Sequence, residues 1–225
     1  MPSSSAATPF YFFDLDDTLY SPEAGIMHVV SRRITEFVML HFGKTLEQAE
    51  TLRRHWRDLY GTALMGMRAE GYAFDPDSYF AYVHDLSMDM LQPRPELRDA
   101  LLALPGRRFV LTNADANHAW RAIWRLGLEA CFERVIDIRA MGFINKPHVE
   151  AYHRVAAMVG ADNASCILMD DLPANTRGAL AAGWRAVLVG AETMIGDGHA
   201  TAATFRVANV DEAILHLREA TTRAP

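Results

Sequence analysis

Residues 10–20 read FYFFDLDDTLY, and the fold of the chain turns on that stretch. Phe10, Tyr11, Phe12 and Phe13 make a short apolar run that predicts a buried strand. Asp14, Leu15, Asp16, Asp17 and Thr18 follow at once. Carboxylates this close together repel one another and are costly to bury. A helix cap or an Asx turn accounts for one aspartate and the threonine, but not for the whole cluster at the mouth of so apolar a strand. The cluster predicts bound positive charge: a divalent cation, a lysine, or both.

The rest of the chain frames that strand. Its 225 residues suffice for one large domain, or for one domain with an insertion, and a hydrophobic content of 50% supports a sizeable core. A net charge of −6 argues against a binder of nucleic-acid polymers, which needs a basic face, and suits a protein that handles small molecules. Cys131 and Cys166 lie in apolar surroundings and read as reduced core thiols. Residues 1–9, MPSSSAATP, have neither the basic nor the apolar region of a secretory signal and read as a disordered tail. No apolar run reaches the length of a membrane span, so a cytoplasmic protein is expected.

After Tyr20 the pattern turns helical as far as Gln92. Ile26, Val29, Val30, Ile34, Phe37, Val38 and His41 share one side of a helix that Gly43 ends. Thr45 and Gln48 form a capping-box pair for a second helix, to about Tyr60. A glycine-punctuated stretch runs from Tyr60 to Tyr72, and Asp77 is expected to cap a helix carrying Tyr79, Phe80, Val83 and Leu86. From Pro93 onward, short apolar runs alternate with helical ones. FVLT (109–112), VIDI (135–138), CILM (166–169) and AVLV (186–189) predict strands, with a last strand near Thr204–Val207. Pro95 and Pro147 are expected to open helices, and a helix from Val210 to Ala220 closes the chain. The pattern predicts an α/β fold: a doubly wound, Rossmann-like parallel sheet with a helical cap inserted after the first strand. The core takes residues 10–21 and 93–225, and the cap residues 22–92.

In such sheets ligands lie beyond the carboxyl ends of the strands. Asp14, Asp16 and Thr18 stand at the first of these ends, Thr112 and Asn113 at the second. Asp170 and Asp171 stand at the fourth, with Asn175 one turn on, and Lys146 lies on the loop that begins beyond the third. Singly, each has an ordinary explanation, such as a surface lysine or a helix-capping aspartate. Together they bring acid, hydroxyl and amine to one edge of the sheet. Carboxylates with a strand-end carbonyl make an all-oxygen site suited to Mg²⁺. Such a metal and Lys146 can neutralise a phosphate dianion. Asp14 can then attack phosphorus, while Asp16 protonates the leaving oxygen and later deprotonates a water. The Thr112 hydroxyl and the Asn113 amide can hold phosphoryl oxygens.

DLDDT, LTNA, the lysine before Pro147, and MDDLPAN with AAGW downstream resemble the four motifs of the haloacid dehalogenase-like hydrolase superfamily. The resemblance covers the chain beyond its tail and includes a cap between the first and second motifs. More narrowly, FDLDDTLY, YGTALMG, LTNADANH, KPH and MDDLPANTRGALAAGW resemble the pyrimidine 5′-nucleotidase branch. The resemblance implies Asp14 as nucleophile, Asp16 as general acid and base, and Thr112 and Lys146 as phosphate ligands. It implies Mg²⁺ bound by Asp14, the Asp16 carbonyl and Asp171, with Asp170 a ligand directly or through water, and Asn175 orienting Lys146. Asp17 receives no catalytic part. The dehalogenases lack the second aspartate that Asp16 supplies here, which disfavours C–halogen cleavage.

The reading is therefore a Mg²⁺-dependent phosphate monoester hydrolase acting on a small molecule, with pyrimidine nucleoside 5′-monophosphates as the expected substrates. A phosphomutase similar to β-phosphoglucomutase, or a sugar or small-metabolite phosphatase, would use the same core residues. A phosphorelay receiver is shorter, has no helical insertion and takes its phosphate on a later strand; an inactive binding relative would not need every catalytic residue. Within the cap, Tyr60 offers a flat face and a hydroxyl to the leaving group, and Gly61 and Gly66 permit close approach. The same glycines would equally serve a tight helix–helix corner. His118 and His148, beside the second and third motifs, either line the site or serve at helix ends. The loop from Glu192 to Ala203 has no assigned purpose.

Overall fold

The computed structural model describes residues 8–190 and 204–222. Most of the expected N-terminal tail and the Glu192–Ala203 loop lie outside the described residues. The strands are β1 (Phe10–Phe13), β2 (Arg107–Leu111), β3 (Arg134–Ile136), β4 (Cys166–Asp170), β5 (Arg185–Val189) and β6 (Phe205–Val207). All pair in parallel, in the order β3-β2-β1-β4-β5-β6. The chain leaves β1 for β2 and β3 on one side, then returns to place β4 on the other. The topological switch point thus falls between β1 and β4.

Helices α1 (Ile26–Phe42), α2 (Leu46–Tyr60), α3 (Ala63–Ala69) and α4 (Pro76–Val83) lie between β1 and β2. They are followed by α5 (Pro95–Leu102), α6 (Ala116–Leu126), α7 (Val149–Val159), α8 (Pro173–Ala181) and α9 (Val210–Thr222). Tyr11 and Phe13 of β1 enter the core shared with α5, α6 and α9. Phe12 enters the opposite core, shared with α7, α8 and the α1–α4 helices. There its ring centroid lies 5.2 Å from that of Phe109 and 4.5 Å from that of Trp184. A strand covered on both faces needs apolar residues at every position, which is why FYFF does not alternate with polar ones.

Several boundaries differ from the sequence expectation for local reasons. Asp75, not Asp77, caps α4: its carboxylate accepts the backbone N–H groups of Asp77 (3.2 Å) and Ser78 (3.0 Å). The α7 helix opens at Val149 rather than Pro147, because His148 is still extended as its N-cap. β3 stops at Ile136, since the Asp137 carboxylate accepts the backbone N–H groups of Ala116 and Ala140 and starts a turn. The glycine-punctuated stretch after Tyr60 contains α3, capped by Thr62. Gly66 within it serves a helix–helix corner: a Cβ there would sit 2.2 Å from the fully buried Trp56 of α2.

Candidate active site

The β1–β4 ladder extends one step past β1, where the backbone N–H of Asp14 donates to the Met169 carbonyl (2.8 Å). The chain then closes a single helical turn, with the Leu19 N–H on the Leu15 carbonyl (2.9 Å). Asp17 takes φ +58°, a conformation that aspartate adopts more readily than most residues. Leu15 and Leu19 are fully buried in the core. Asp14, Asp16 and Asp17 instead line a cavity of about 340 Å³, together with Thr112, Asn113, Lys146, Asp171 and Asn175.

At its floor, the buried Lys146 ammonium donates to Asp14 (2.8 Å) and Asp170 (2.6 Å). Asp14, Asp170 and Asp171 each offer an oxygen, and these atoms all lie within 4.8 Å of one another. Three carboxylates thus face one ammonium. Burial pushes the Asp14 carboxyl up to about 7; Lys146 opposes this, and Asp170 and Asp16 reinforce it. Burial and the Asp170 and Asp14 charges push Asp171 up to about 9. Burial alone would lower the Lys146 ammonium, but the Asp14 and Asp170 charges raise it. Beside burial, the crowded negative charge of these carboxylates contributes to the two raised carboxyls and to the raised ammonium, and a divalent cation would relieve it.

Asp170 is held at both oxygens. Oδ1 accepts the Leu172 backbone N–H (2.9 Å) and the Asn175 amide (2.9 Å), and Oδ2 accepts Lys146 and the Asn175 amide (3.1 Å). Asn175 therefore holds Asp170, and acts on Lys146 through it. Asn113 likewise acts on the backbone of Lys146: its Oδ1 accepts the Lys146 N–H (2.9 Å) and its Nδ2 donates to the Lys146 carbonyl (3.0 Å). With its side chain engaged there, a phosphate contact from Asn113 falls to its backbone. The buried Thr112 hydroxyl accepts the Ala114 N–H (3.0 Å), which leaves its own hydrogen to donate.

Gly61 lines the cavity, whereas Tyr60 is not among its lining residues. Gly61 has φ +82°, and a Cβ there would meet Asn145 Nδ2 at 2.5 Å and the Lys146 carbonyl at 2.9 Å. The Tyr60 carbonyl accepts Asn145 Nδ2 (2.9 Å). The pair seats the end of α2 on the Lys146 loop. Sequence reasoning passed over Arg53 of the same helix. It lines the cavity, and its Nε donates to the buried Thr35 hydroxyl (3.2 Å). The nearby acids are already engaged, Glu50 with Arg54 (3.6 Å) and Asp58 with Arg57 (2.8 Å). No carboxylate among the described residues forms an ion pair with Arg53.

A second polar group surrounds Asp16. Its Oδ1 accepts both His118 Nε2 (2.8 Å) and the Tyr20 hydroxyl. The His118 ring stacks on His84 with centroids 4.1 Å apart, and His84 Nδ1 donates to Asp115 Oδ2 (2.5 Å). Asp115 Oδ1 meanwhile caps α6 through the N–H groups of Asn117 and His118. Burial would raise the Asp16 carboxyl, but His118 and Tyr20 hold it below the usual carboxylate range. His118 therefore reaches the site itself. The spacing Asp115-x-x-His118 was the available signal, since it fixes which way the first turn of α6 points.

A family model described as haloacid dehalogenase-like hydrolase matches residues 10–183. Phosphate metabolism protein 8 of Saccharomyces cerevisiae is 25% identical over 198 residues, covering 81% of this chain. The chain spans 62% of that relative's length. Glyceraldehyde 3-phosphate phosphatase of Methanothermobacter thermautotrophicus is 24% identical over 199 residues, 80% of this chain and 85% of the relative. Among solved structures, L-2-haloacid dehalogenase from Xanthobacter autotrophicus superposes with a TM-score of 0.60 at 18% identity, over 94% of this chain and 98% of that one.

Proposed function

Because this chain belongs to the haloacid dehalogenase-like hydrolases, we propose that it hydrolyses small phosphate monoesters through an aspartyl-phosphate on Asp14, with Mg²⁺ as cofactor. One observation carries the reading: Asp14 projects from the β1 end beside Lys146 at 2.8 Å, with Asp16 two residues on along the same cavity wall. The two relatives described above, one named a phosphatase, support it.

The donor set fits Mg²⁺, being all carboxylate and carrying more negative charge than Lys146 neutralises. Asp14 and Asp171, with the Asp16 carbonyl, would hold the ion directly. Asp170 already accepts four hydrogen bonds, the capacity of a carboxylate, and would have to give one up to reach the ion, directly or through water. When bound, the ion supplies charge neutralisation for the cluster and for the phosphoryl oxygens. The chain's own residues do the rest. Lys146 and the Thr112 hydroxyl bind the phosphoryl oxygens, and an Asp14 oxygen attacks phosphorus in line. Asp16 gives its proton to the ester oxygen as the P–O bond breaks, then takes one from the water that hydrolyses the acyl phosphate. The phosphate dianion beside Asp16 favours the protonated carboxyl that this step needs, against the depression imposed by His118 and Tyr20.

Helices α1–α4 act as the cap and supply the leaving-group contacts. Arg53 and Tyr79, both lining the cavity, carry donors suited to the carbonyl edge of a pyrimidine, which supports nucleoside 5′-monophosphates as substrates. The unmatched charge of Arg53 favours a second reading, a small metabolite whose leaving alcohol carries another anionic group. No helix among the described residues is long and apolar enough to cross a membrane, and the buried free thiols of Cys131 and Cys166 support a reducing, cytoplasmic setting. The test is kcat/KM with Mg²⁺ for UMP, CMP, AMP, glycerol 3-phosphate and 3-phosphoglycerate. Preference for UMP and CMP supports the nucleotidase reading; preference for 3-phosphoglycerate over glycerol 3-phosphate supports the second. Inertness towards every ester refutes the phosphatase reading itself.

A further inference from the structure

We propose that His118 is a positioning residue that divides the work of the Asp16 carboxylate, fixing Oδ1 so that Oδ2 alone carries the transferred proton. The inference rests on the phosphatase reading. Both donors near Asp16, His118 Nε2 at 2.8 Å and the Tyr20 hydroxyl, converge on the same oxygen, Oδ1. No hydrogen bond among the described residues reaches Oδ2, and Asp16 lines the cavity. A carboxyl free to rotate would present either oxygen and would spend part of its time turned from the ester. Two donors at one oxygen remove that freedom.

His118 is itself held in place. Its side chain is fully buried, and its ring lies flat on His84, with 25° between the planes. His84 is pinned by Asp115 at 2.5 Å, and the same Asp115 caps the turn of α6 from which His118 projects. Nδ1 of His118 is buried without a partner among the described residues. The hydrogen on Nε2 is therefore the ring's only polar contact, and it goes to Asp16. Because Nε2 carries a hydrogen in both the cation and the matching neutral tautomer, the contact does not require a particular charge on the ring. In the first half-reaction the Asp14 oxygen–phosphorus bond forms and the phosphorus–ester oxygen bond breaks. The proton on Asp16 Oδ2 passes to the departing oxygen and leaves Asp16 ionised.

The role can be separated from a merely structural one by the leaving group. The value of kcat/KM reports only steps up to leaving-group departure. An alkoxide needs a proton at that point, and p-nitrophenolate does not. His118→Leu removes the donor at similar volume, whereas His118→Gln offers an amide hydrogen near the former Nε2. With Mg²⁺ present, His118→Leu should reduce kcat/KM for an alkyl phosphate such as UMP about 10- to 100-fold more than for p-nitrophenyl phosphate, a fraction of the usual worth of a general acid. His118→Gln should recover most of that difference. Equal losses on the two esters, or no recovery, would overturn the proposal. A measurement without turnover guards against an inert protein: the His118 Nε2–H should give a hydrogen-bonded proton resonance that Asp16→Ala abolishes. Its absence from the wild-type protein overturns the contact, whereas inactivity of the wild type on both esters overturns the phosphatase reading instead.

Discussion

Raising the pH in the absence of divalent cations should destabilise this protein, and Mg²⁺ should restore what is lost. Between its ordinary value of 3.8 and about 7, Asp14 binds a proton in the folded chain that it does not bind in the unfolded one. Stability then falls as pH rises through that window. Asp17, raised by burial and Asp16 to about 6, and Asp171, raised to about 9, act with the same sign. His84, lowered by burial, and His118, raised by Asp16 against its burial, act with opposite signs. Asp115, held down to about 2 by His84 against the effect of burial, titrates below the window.

The displacement of Asp14 alone, from 3.8 to about 7, has a ceiling of roughly 4 kcal/mol at about 1.4 kcal/mol per pH unit. About two units of that window lie above pH 5, worth roughly 3 kcal/mol, so at about 2–4 °C per kcal/mol Tm should fall by roughly 5–10 °C between about pH 5 and about pH 8. Mg²⁺ at about a hundred times its Kd should return about 2.7 kcal/mol, or roughly 5–10 °C. Thermal unfolding followed by circular dichroism across the pH series, with chelator or with Mg²⁺, makes the measurement. A chelated protein whose Tm holds level or rises over that range, with no response to Mg²⁺, refutes the assignment of the cluster as a cation site.

Asp14→Asn should abolish turnover and any phosphoryl-enzyme burst while raising Tm in chelator above neutral pH, because the amide removes one of the crowded charges; retained turnover would exclude Asp14 as nucleophile. Lys146→Met leaves two buried carboxylates without their cation and should cost roughly 3–5 kcal/mol in urea unfolding, and a loss below about 1 kcal/mol would show that the pair is not closed in solution. Gly61→Ala combines φ +82° with contacts at 2.5 and 2.9 Å to Asn145 and Lys146, whereas Gly25→Ala has φ +76° and nothing within 4 Å. The first should therefore lose about 1–3 kcal/mol more than the second and also lose phosphate affinity; equal effects would mean that only backbone strain is at work.

The strand-end groups were legible in the sequence because parallel α/β topology fixes where strands end. Asp14, Thr112, Lys146 and Asp170 stand on four separate segments, yet one rule about sheet edges brings them together. What each one touches was not legible. Asn175 reads as a partner of Lys146 until the fold shows its amide on Asp170. Asn113 reads as a phosphate ligand, but the sequence does not reveal that its side chain is spent on the Lys146 backbone. The His118–His84 stack joins residues 34 positions apart across two helices, and no periodicity carries such a pairing. Gly61 was singled out for close approach to a leaving group, and the surface it approaches in the fold is the Lys146 loop. The misplaced cap of α4 has a simpler cause: in DPD, either aspartate can serve, and Pro76 at the first helical position selects Asp75.

The hydrogen bond from the Asp14 N–H to the Met169 carbonyl has a consequence for how such a protein changes over generations. It makes Asp14, the proposed nucleophile, a rung of the sheet, so its backbone distance from Asp170 on the neighbouring strand is set by the lateral repeat of a β-ladder, about 4.8 Å. That spacing is inherited from backbone geometry, which substitution hardly touches. The groups proposed to meet the rest of a substrate, Arg53 and Tyr79 among them, sit on helices inserted between β1 and β2. Mutation can rewrite those helices while the strand-end cluster keeps its dimensions. On the phosphatase reading proposed above, a lineage built this way can exchange one ester for another without rebuilding its chemistry.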